Sequence, residues 1–305
     1  MVQTREQPRR GNLTGAVVLR GGGTRQLAAG AVRAGFGLLG RSWPGLAARL
    51  AERIWFTVPR SRSRAAGTPV PGRRLTVPLW DGHLVAESWG DGPVVYLVHG
   101  WGGRRADLTG LVPPLTAAGF RVVAFDGPAH GESGAGPMGA GRTTFDEFST
   151  ALAALADTAG PAHAVVAHSG GCVAVALALA DGFPARRVAF VAPMADIHDT
   201  THEFARRAGF GERVRVRLVA RIESRVGRSM AAYAVPTIAR GLDRPPLLLV
   251  HDRDDAEIGP KASADIARAW PGAETVTTAG LGHRRILRDP AVLDRISGFV
   301  AAEEH

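Results

Sequence analysis

The chain has 305 residues, 45% of them hydrophobic, enough for one large core with room for an inserted subdomain. Its net charge of +9 is concentrated at the start: residues 1–74 hold 14 Arg against Glu6 and Glu52, whereas residues 75–305 hold 23 basic and 26 acidic side chains. A nucleic-acid-binding domain carries its basic face on the folded body with aromatics for stacking, and nothing of that kind follows residue 75, which argues against nucleic acid as a partner. The single cysteine, Cys172, excludes disulfides within the chain and thiolate metal clusters, and fits a reducing compartment.

Residues 1–26 are polar and rich in Gly and Arg, a composition expected to lack fixed structure. The apolar stretch from Leu27 to Phe56 is interrupted by Arg33, Arg41, Arg49, Glu52 and Arg53, so it falls short of the roughly 20 uncharged residues that a bilayer-crossing helix needs. No compact apolar segment ahead of a small-residue cleavage site marks a secretory signal, and the expected location is cytoplasmic. Ser42 reads as a helix cap with Pro44 in the first turn; Trp43, Leu46, Leu50 and Ile54 follow at helical spacing, with Arg49 and Arg53 off that stripe. Two readings of this helix, within residues 27–58, stay open. It is a staple packed across the domain, or a basic helix in peripheral contact with an anionic membrane surface.

From Leu75 the pattern changes to short apolar strands separated by turns and helices. LTVPLW and HLVAESW, joined by Asp81-Gly82, read as a hairpin. PVVYLVHG, FRVVAFDG, HAVVAHS, RVAFVAPM, PLLLVHD and ETVTTAG then alternate with Ala-rich or amphipathic helical segments. Such alternation predicts an α/β protein with a mostly parallel central sheet covered by helices on both faces. Residues 193–244 interrupt it with helical character, Val214, Leu218, Ile222 and Val226 recurring every fourth residue, and are expected to form a small helical lid inserted into a core of 75–192 and 245–305.

The stretch Ala167-His168-Ser169-Gly170-Gly171 lies between an apolar strand and the helical run CVAVALALA. That is the context of a small-x-Ser-x-small turn, in which the neighbours must be small because the strand and the helix crowd them. Gly131-Glu132-Ser133-Gly134-Ala135 has the same spacing but follows a polar loop and precedes GAGPMGAG, which cannot open a helix, so Ser133 is set aside. A serine hydroxyl is a weak nucleophile at neutral pH and needs a base whose tautomer and charge a third group controls.

Four further stretches follow the strands in a fixed order around AHSGG: VVYLVHGWGG, FDGPAHGES, PLLLVHDRDDAEIG and TAGLGHRRIL. Together they resemble the α/β-hydrolase superfamily, of the serine esterase and lipase kind, over about residues 75–300. The resemblance implies Ser169 as nucleophile, Asp255 as acid with Asp252 and Asp254 as alternatives, and His283 as base. It further implies the backbone N–H groups of Gly170 and Trp101 as the oxyanion hole, with Trp101 and His168 near the substrate. Asp126, His130 and Ser133 are expected to hold their loop, and His99 and His168 to line the wall or stand just behind it. The implied activity is hydrolysis of carboxylic esters, with thioesters and lactones in the same chemistry and a small-molecule acyl ester as partner. No cofactor is implied, and the oligomeric state is left open. His198 and His202 have metal-ligand spacing on a helix but no third ligand nearby, so no metal is expected. The rival reading is a non-catalytic or signalling protein on the same scaffold, associated with a membrane surface through its basic helix.

Overall fold

Short apolar runs between turns find their partners in a single sheet, and the runs from Leu75 onward all do so. The computed structural model describes residues 23–59 and 71–302. Eight strands, β1 (Arg73–Leu79), β2 (Gly82–Trp89), β3 (Val94–Val98), β4 (Arg121–Phe125), β5 (Ala162–His168), β6 (Ala185–Val191), β7 (Leu247–Asp252) and β8 (Glu274–Thr278), form one sheet in the order β1-β2-β4-β3-β5-β6-β7-β8. The first two strands make the expected hairpin, β2 is antiparallel to β4, and β4, β3, β5, β6, β7 and β8 are parallel.

Among the described residues eleven α-helices accompany the sheet: α1 (Gly23–Ser42), α2 (Pro44–Phe56), α3 (Val112–Ala117), α4 (Phe145–Ala159), α5 (Gly171–Ala180), α6 (Ile197–Ala208), α7 (Glu212–Val226), α8 (Val235–Ala239), α9 (Lys261–Ala269), α10 (Gly282–Arg285) and α11 (Pro290–Ala301). Side-chain alternation along each strand divides the core between the two faces. Val94, Tyr96 and Val98 of β3 join α4 and α5, whereas Val95 and Leu97 join α3 and α11. Helix α4 starts cleanly because Thr144 accepts the Glu147 amide at its N-terminus, a cap worth about 1 kcal/mol. Helices α6, α7 and α8 all lie between β6 and β7, as the pattern over 193–244 requires.

The N-terminal segment departs from expectation. The part of the glycine-rich start that lies within residues 1–22 is outside the described residues, but from Gly23 the chain is helical, and Ser42 ends α1 instead of capping α2. Trp43 occupies the cap position of α2 without a side-chain bond. Most of the apolar stripe faces outward: Ile54 packs against the core, but Trp43, Leu46 and Leu50 are 66%, 49% and 44% exposed. Ala47, Ala48, Ala51, Glu52 and Phe56 are buried instead. Small alanines let α2 approach α7 closely, and Glu52 accepts hydrogen bonds from Arg221 Nε (2.5 Å) and Arg225 Nε (3.1 Å) of that helix. Helix α1 is fixed by Phe36, whose ring lies 5.4 Å from that of Phe210, and by Arg33, which donates to the Arg206 and Arg207 carbonyls at the end of α6. Among the described residues no helix is long and apolar enough to cross a membrane.

Candidate active site

The strand order reverses between β3 and β5: the chain leaves β3 toward β4 on one side and later returns to place β5 on the other. In open α/β sheets the crevice at the carboxyl ends of the strands beside such a point is where ligands bind. The loop after β3 carries Trp101 and the turn after β5 carries Ser169.

Ser169 has φ 55°, a left-handed conformation that costs a non-glycine residue energy. The turn holds it there: its amide donates to the Val191 carbonyl (3.0 Å) and its carbonyl accepts the Met194 amide (3.2 Å). The flanking residues are small for a measurable reason. A Cβ on Gly171 would lie 2.6 Å from the His99 carbonyl oxygen, and one on Gly100 would lie 2.9 Å from Ser169 Cβ.

Ser169 Oγ is 3.0 Å from His283 Nε2, and His283 Nδ1 is 2.7 Å from Asp255 Oδ2. Positive-φ Gly280 and Gly282 turn the chain after β8 so that His283 faces the serine. Of the three carboxylates at and just beyond the end of β7, Asp255 meets the imidazole. Asp252 accepts from the Thr278 hydroxyl and the Leu281 and Asp254 amides, and Asp254 accepts the Gly280 amide, so both tie the β7 and β8 loops together. Burial works against the Asp255 carboxylate, but bonds from His251 and His283, the charge of His283 and the Ile258 amide outweigh it and hold its pKa well below the usual carboxylate range.

The Trp101 and Gly170 backbones run close to each other at the serine turn; a Cβ on Gly170 would lie 3.6 Å from the Trp101 nitrogen. Among the described residues neither amide has a hydrogen-bond partner. Two neutral histidines fix the Trp101 loop. His99 donates through Nδ1 to the Gly100 carbonyl (2.7 Å) and accepts the Gly127 amide at Nε2 (2.9 Å), while His130 donates to the Pro128 carbonyl and accepts the Gly102 amide (both 2.9 Å). Burial pushes the pKa of His99 down to about 4; burial, with the neighbouring His99, pushes that of His130 down to about 3. Ser133 donates to the Asp126 carbonyl and accepts the Val85 amide, a loop-holding role. Asp126 accepts the amides of Arg105 and Glu132 and is paired with the Arg105 side chain.

His168, expected near the substrate in the wall or just behind it, takes the second place. It is buried behind His283, with ring centroids 4.7 Å apart and its Nε2 donating to the His283 carbonyl (2.9 Å). Burial, and then the charge of His283, lower its pKa to about 3. It supports the backbone of His283.

Next to Trp101 opens a largely apolar cavity. Met194 and Phe145 line it together with Ile197, Ile222, Val226 and Tyr233 from the segment between β6 and β7. Phe145 touches the nucleophile turn, since a Cβ on Gly170 would be 3.1 Å from its ring. Sequence reasoning did not find two of its walls, Trp55 and Phe56 at the end of α2. The end of α2 is carried there by pairing of Thr57 with Arg142 and by the Thr143 amide bonding to the Phe56 carbonyl (3.1 Å). Among the described residues no group of three or more His, Cys, Asp or Glu could hold a metal. The His198 and His202 ring centroids are 5.5 Å apart, and His198 Nε2 faces the Arg215 guanidinium at 3.4 Å, a cation where a metal would stand.

A mostly parallel eight-stranded sheet, with a serine in the strained turn after a central strand and an aspartate and a histidine beyond its last two strands, is the arrangement of an α/β hydrolase. A model of the alpha/beta hydrolase family matches residues 95–295, and the chain belongs to that family. No curated protein sequence matches it. Among solved structures it is similar to a bromoperoxidase from Bacillus anthracis, with 15% identity over 73% of this chain and 98% of that one and a TM-score of 0.56. It is similar also to a thermophilic esterase from Thermogutta terrifontis (19% identity, 74% and 95% covered, TM-score 0.54). Est1E from Butyrivibrio proteoclasticus, solved with ferulic acid, gives 18% identity, 74% and 96% coverage and a TM-score of 0.57. At these identities the likeness concerns the fold.

Proposed function

We propose that the protein is a serine hydrolase that cleaves carboxylic esters of apolar acids through an acyl-enzyme. Ser169 Oγ attacks the ester carbonyl while His283 Nε2 takes its proton, and the negative oxygen of the tetrahedral intermediate sits between the amides of Trp101 and Gly170. The imidazolium then returns the proton to the departing alkoxide. Water repeats the sequence on the acyl-enzyme, His283 taking a proton from water and giving it to Ser169 as the acid leaves. Asp255 fixes the tautomer of His283 and stabilises its charged form. Thioesters and lactones present the same carbonyl to the same groups.

The observation that carries this reading is the unbroken chain Ser169–His283–Asp255, at 3.0 and 2.7 Å, beside an apolar cavity. The cavity favours an acyl chain over a peptide, and the helices over 193–244 act as its lid. A fluorophosphonate probe tests the proposal together with turnover of nitrophenyl esters. Stoichiometric labelling of Ser169, with label and turnover both lost in Ser169→Ala, is the expected result. A folded wild-type chain that neither labels nor turns over any ester would point to the non-catalytic use of the scaffold.

A further inference from the structure

The outward face of the N-terminal helices has no role in the chemistry above, and its composition is unusual for a water-exposed surface. On α2, Leu46, Arg49, Leu50 and Arg53 recur at the spacing that places residues on one helix face, and all four are exposed. Trp43 precedes them, and Leu38 near the end of α1 is 67% exposed. Helix α7, packed along α2, repeats the device with exposed Arg213, Val216 and Arg217. Of the three carboxylates on α2 and α7, two are paired with arginines. Glu52 is buried against Arg221 and Arg225, Glu212 is bonded to Arg215, and Glu223 accepts the Met230 amide.

We propose that the face formed by α2, with Leu38 and Trp43 ahead of it and α7 beside it, docks on a bilayer containing anionic lipid. Leucine and tryptophan in one row with arginine suit an interfacial helix: the rings and branched chains enter the acyl boundary while the guanidinium groups reach lipid phosphates. A nucleic acid would use the arginines and leave the leucines in water. A second copy of the chain would cover the leucines, but the same patch would face itself and set arginine against arginine. An anionic membrane accepts both kinds of side chain.

The opposite face of α2 is its structural one, through Ala47, Ala48, Ala51 and Glu52, so the exposed row can be changed without disturbing the fold. The test is sedimentation of the full chain with vesicles of phosphatidylcholine alone or mixed with phosphatidylglycerol. The wild type is expected to pellet with the mixed vesicles and to remain in solution with the neutral ones. Leu46→Ser combined with Leu50→Ser should lower partitioning about tenfold or more, and Arg49→Gln combined with Arg53→Gln should lower it and flatten its salt dependence. Circular dichroism and thermal melts of both variants should match the wild type. Three results would overturn the proposal. One is no pelleting with the anionic vesicles, and another is equal pelleting on both lipids. The third is unchanged pelleting of the Leu46→Ser, Leu50→Ser variant, which would assign the binding to basic residues elsewhere. If the wild type stays off the vesicles but is a dimer that this variant dissolves in sedimentation equilibrium, the occupant of the face is a second copy.

Discussion

Glu52 on α2 and Arg221 on α7 meet at 2.5 Å although 169 positions separate them in the chain. The carboxylate is buried and takes a second bond from Arg225, so it pins α2, and with it Trp55 and Phe56, against α7 at the cavity. Both arginines are partly exposed and recover water if the acid is removed, which keeps the cost modest. Glu52→Ala is expected to lower unfolding free energy by about 1–2 kcal/mol in denaturant titration. It should also raise KM for a long-chain nitrophenyl ester more than for the acetate. Equal effects on the two esters would detach α2 from the substrate.

Gly100 and Trp101 separate the backbone from the side chain at the proposed oxyanion site. A methyl at position 100 would sit 2.9 Å from Ser169 Cβ, 3.2 Å from the His168 carbonyl and 3.4 Å from Ser169 Oγ, pushing the two halves of the site apart. Gly100→Ala is therefore expected to cost roughly 100-fold or more in kcat, the scale of one misplaced oxyanion donor. Trp101→Ala keeps the amide and removes only a ring of the cavity wall. Its loss should stay within about tenfold and fall on KM. Steady-state kinetics on one butyrate ester decide between the two patterns, and a larger effect on kcat from Trp101→Ala would overturn the assignment.

The inner strands β3 to β7 were legible because a buried parallel strand is a continuous apolar run, whereas the LTVPLW hairpin strand and the edge strand ETVTT were marked by alternation and flanking turns. The serine turn was legible because its steric demand writes itself as small residues around Ser169. The direction in which α2 packs was not legible, because periodicity reveals a stripe without saying whether it faces protein or water. The overlooked signal was Ala47, Ala48 and Ala51 beside the acidic Glu52, a row thin enough for close helix contact. The choice among Asp252, Asp254 and Asp255 needed coordinates, since three carboxylates within four residues differ only in the loop path that carries them. The cavity was hidden for a related reason: Trp55, Trp101, Phe145 and Tyr233 come from four distant segments, and no local pattern joins them.

Cavity depth should be readable in acyl-length dependence. For the wild type, kcat/KM on nitrophenyl esters is expected to rise with chain length until the cavity is filled, and then to fall. Trp55 lines the cavity and packs against Phe204, with ring centroids 5.8 Å apart. Trp55→Ala removes apolar contact far from the reacting carbonyl. It should lower kcat/KM for a medium-chain ester by about tenfold or more while changing acetate hydrolysis by less than about threefold. A flat profile in the wild type, with acetate as good as octanoate, would assign the cavity to something other than the acyl chain.

Buried neutral histidines make stability depend on pH in a direction that can be worked out. In the folded chain the pKa values of His99, His130 and His168 are pushed down to about 4, about 3 and about 3, whereas an unfolded histidine titrates near ~6.5. Below that value the unfolded chain takes up protons that the folded chain refuses, so stability present at neutral pH is lost as pH falls from ~6.5 toward ~4, by about 1 kcal/mol per histidine per pH unit. Asp255 acts in a lower window. Its depressed pKa contributes stability that is full above the ordinary carboxylate value of ~3.9 and is lost as pH falls through and below it. Thermal melts from pH 8 to 3 should therefore show Tm falling well before the carboxylates titrate. His130→Gln should be less stable at pH 8, because its bonds to Gly102 and Pro128 are replaced imperfectly, yet show a shallower decline between pH 6.5 and 4. Asp255→Asn should follow the wild-type slope there and diverge only below about pH 4. A wild-type Tm that stays level down to pH 4 would mean that these imidazoles accept protons inside the fold, and the hydrogen bonds drawn for the Trp101 loop would then have to be reassigned.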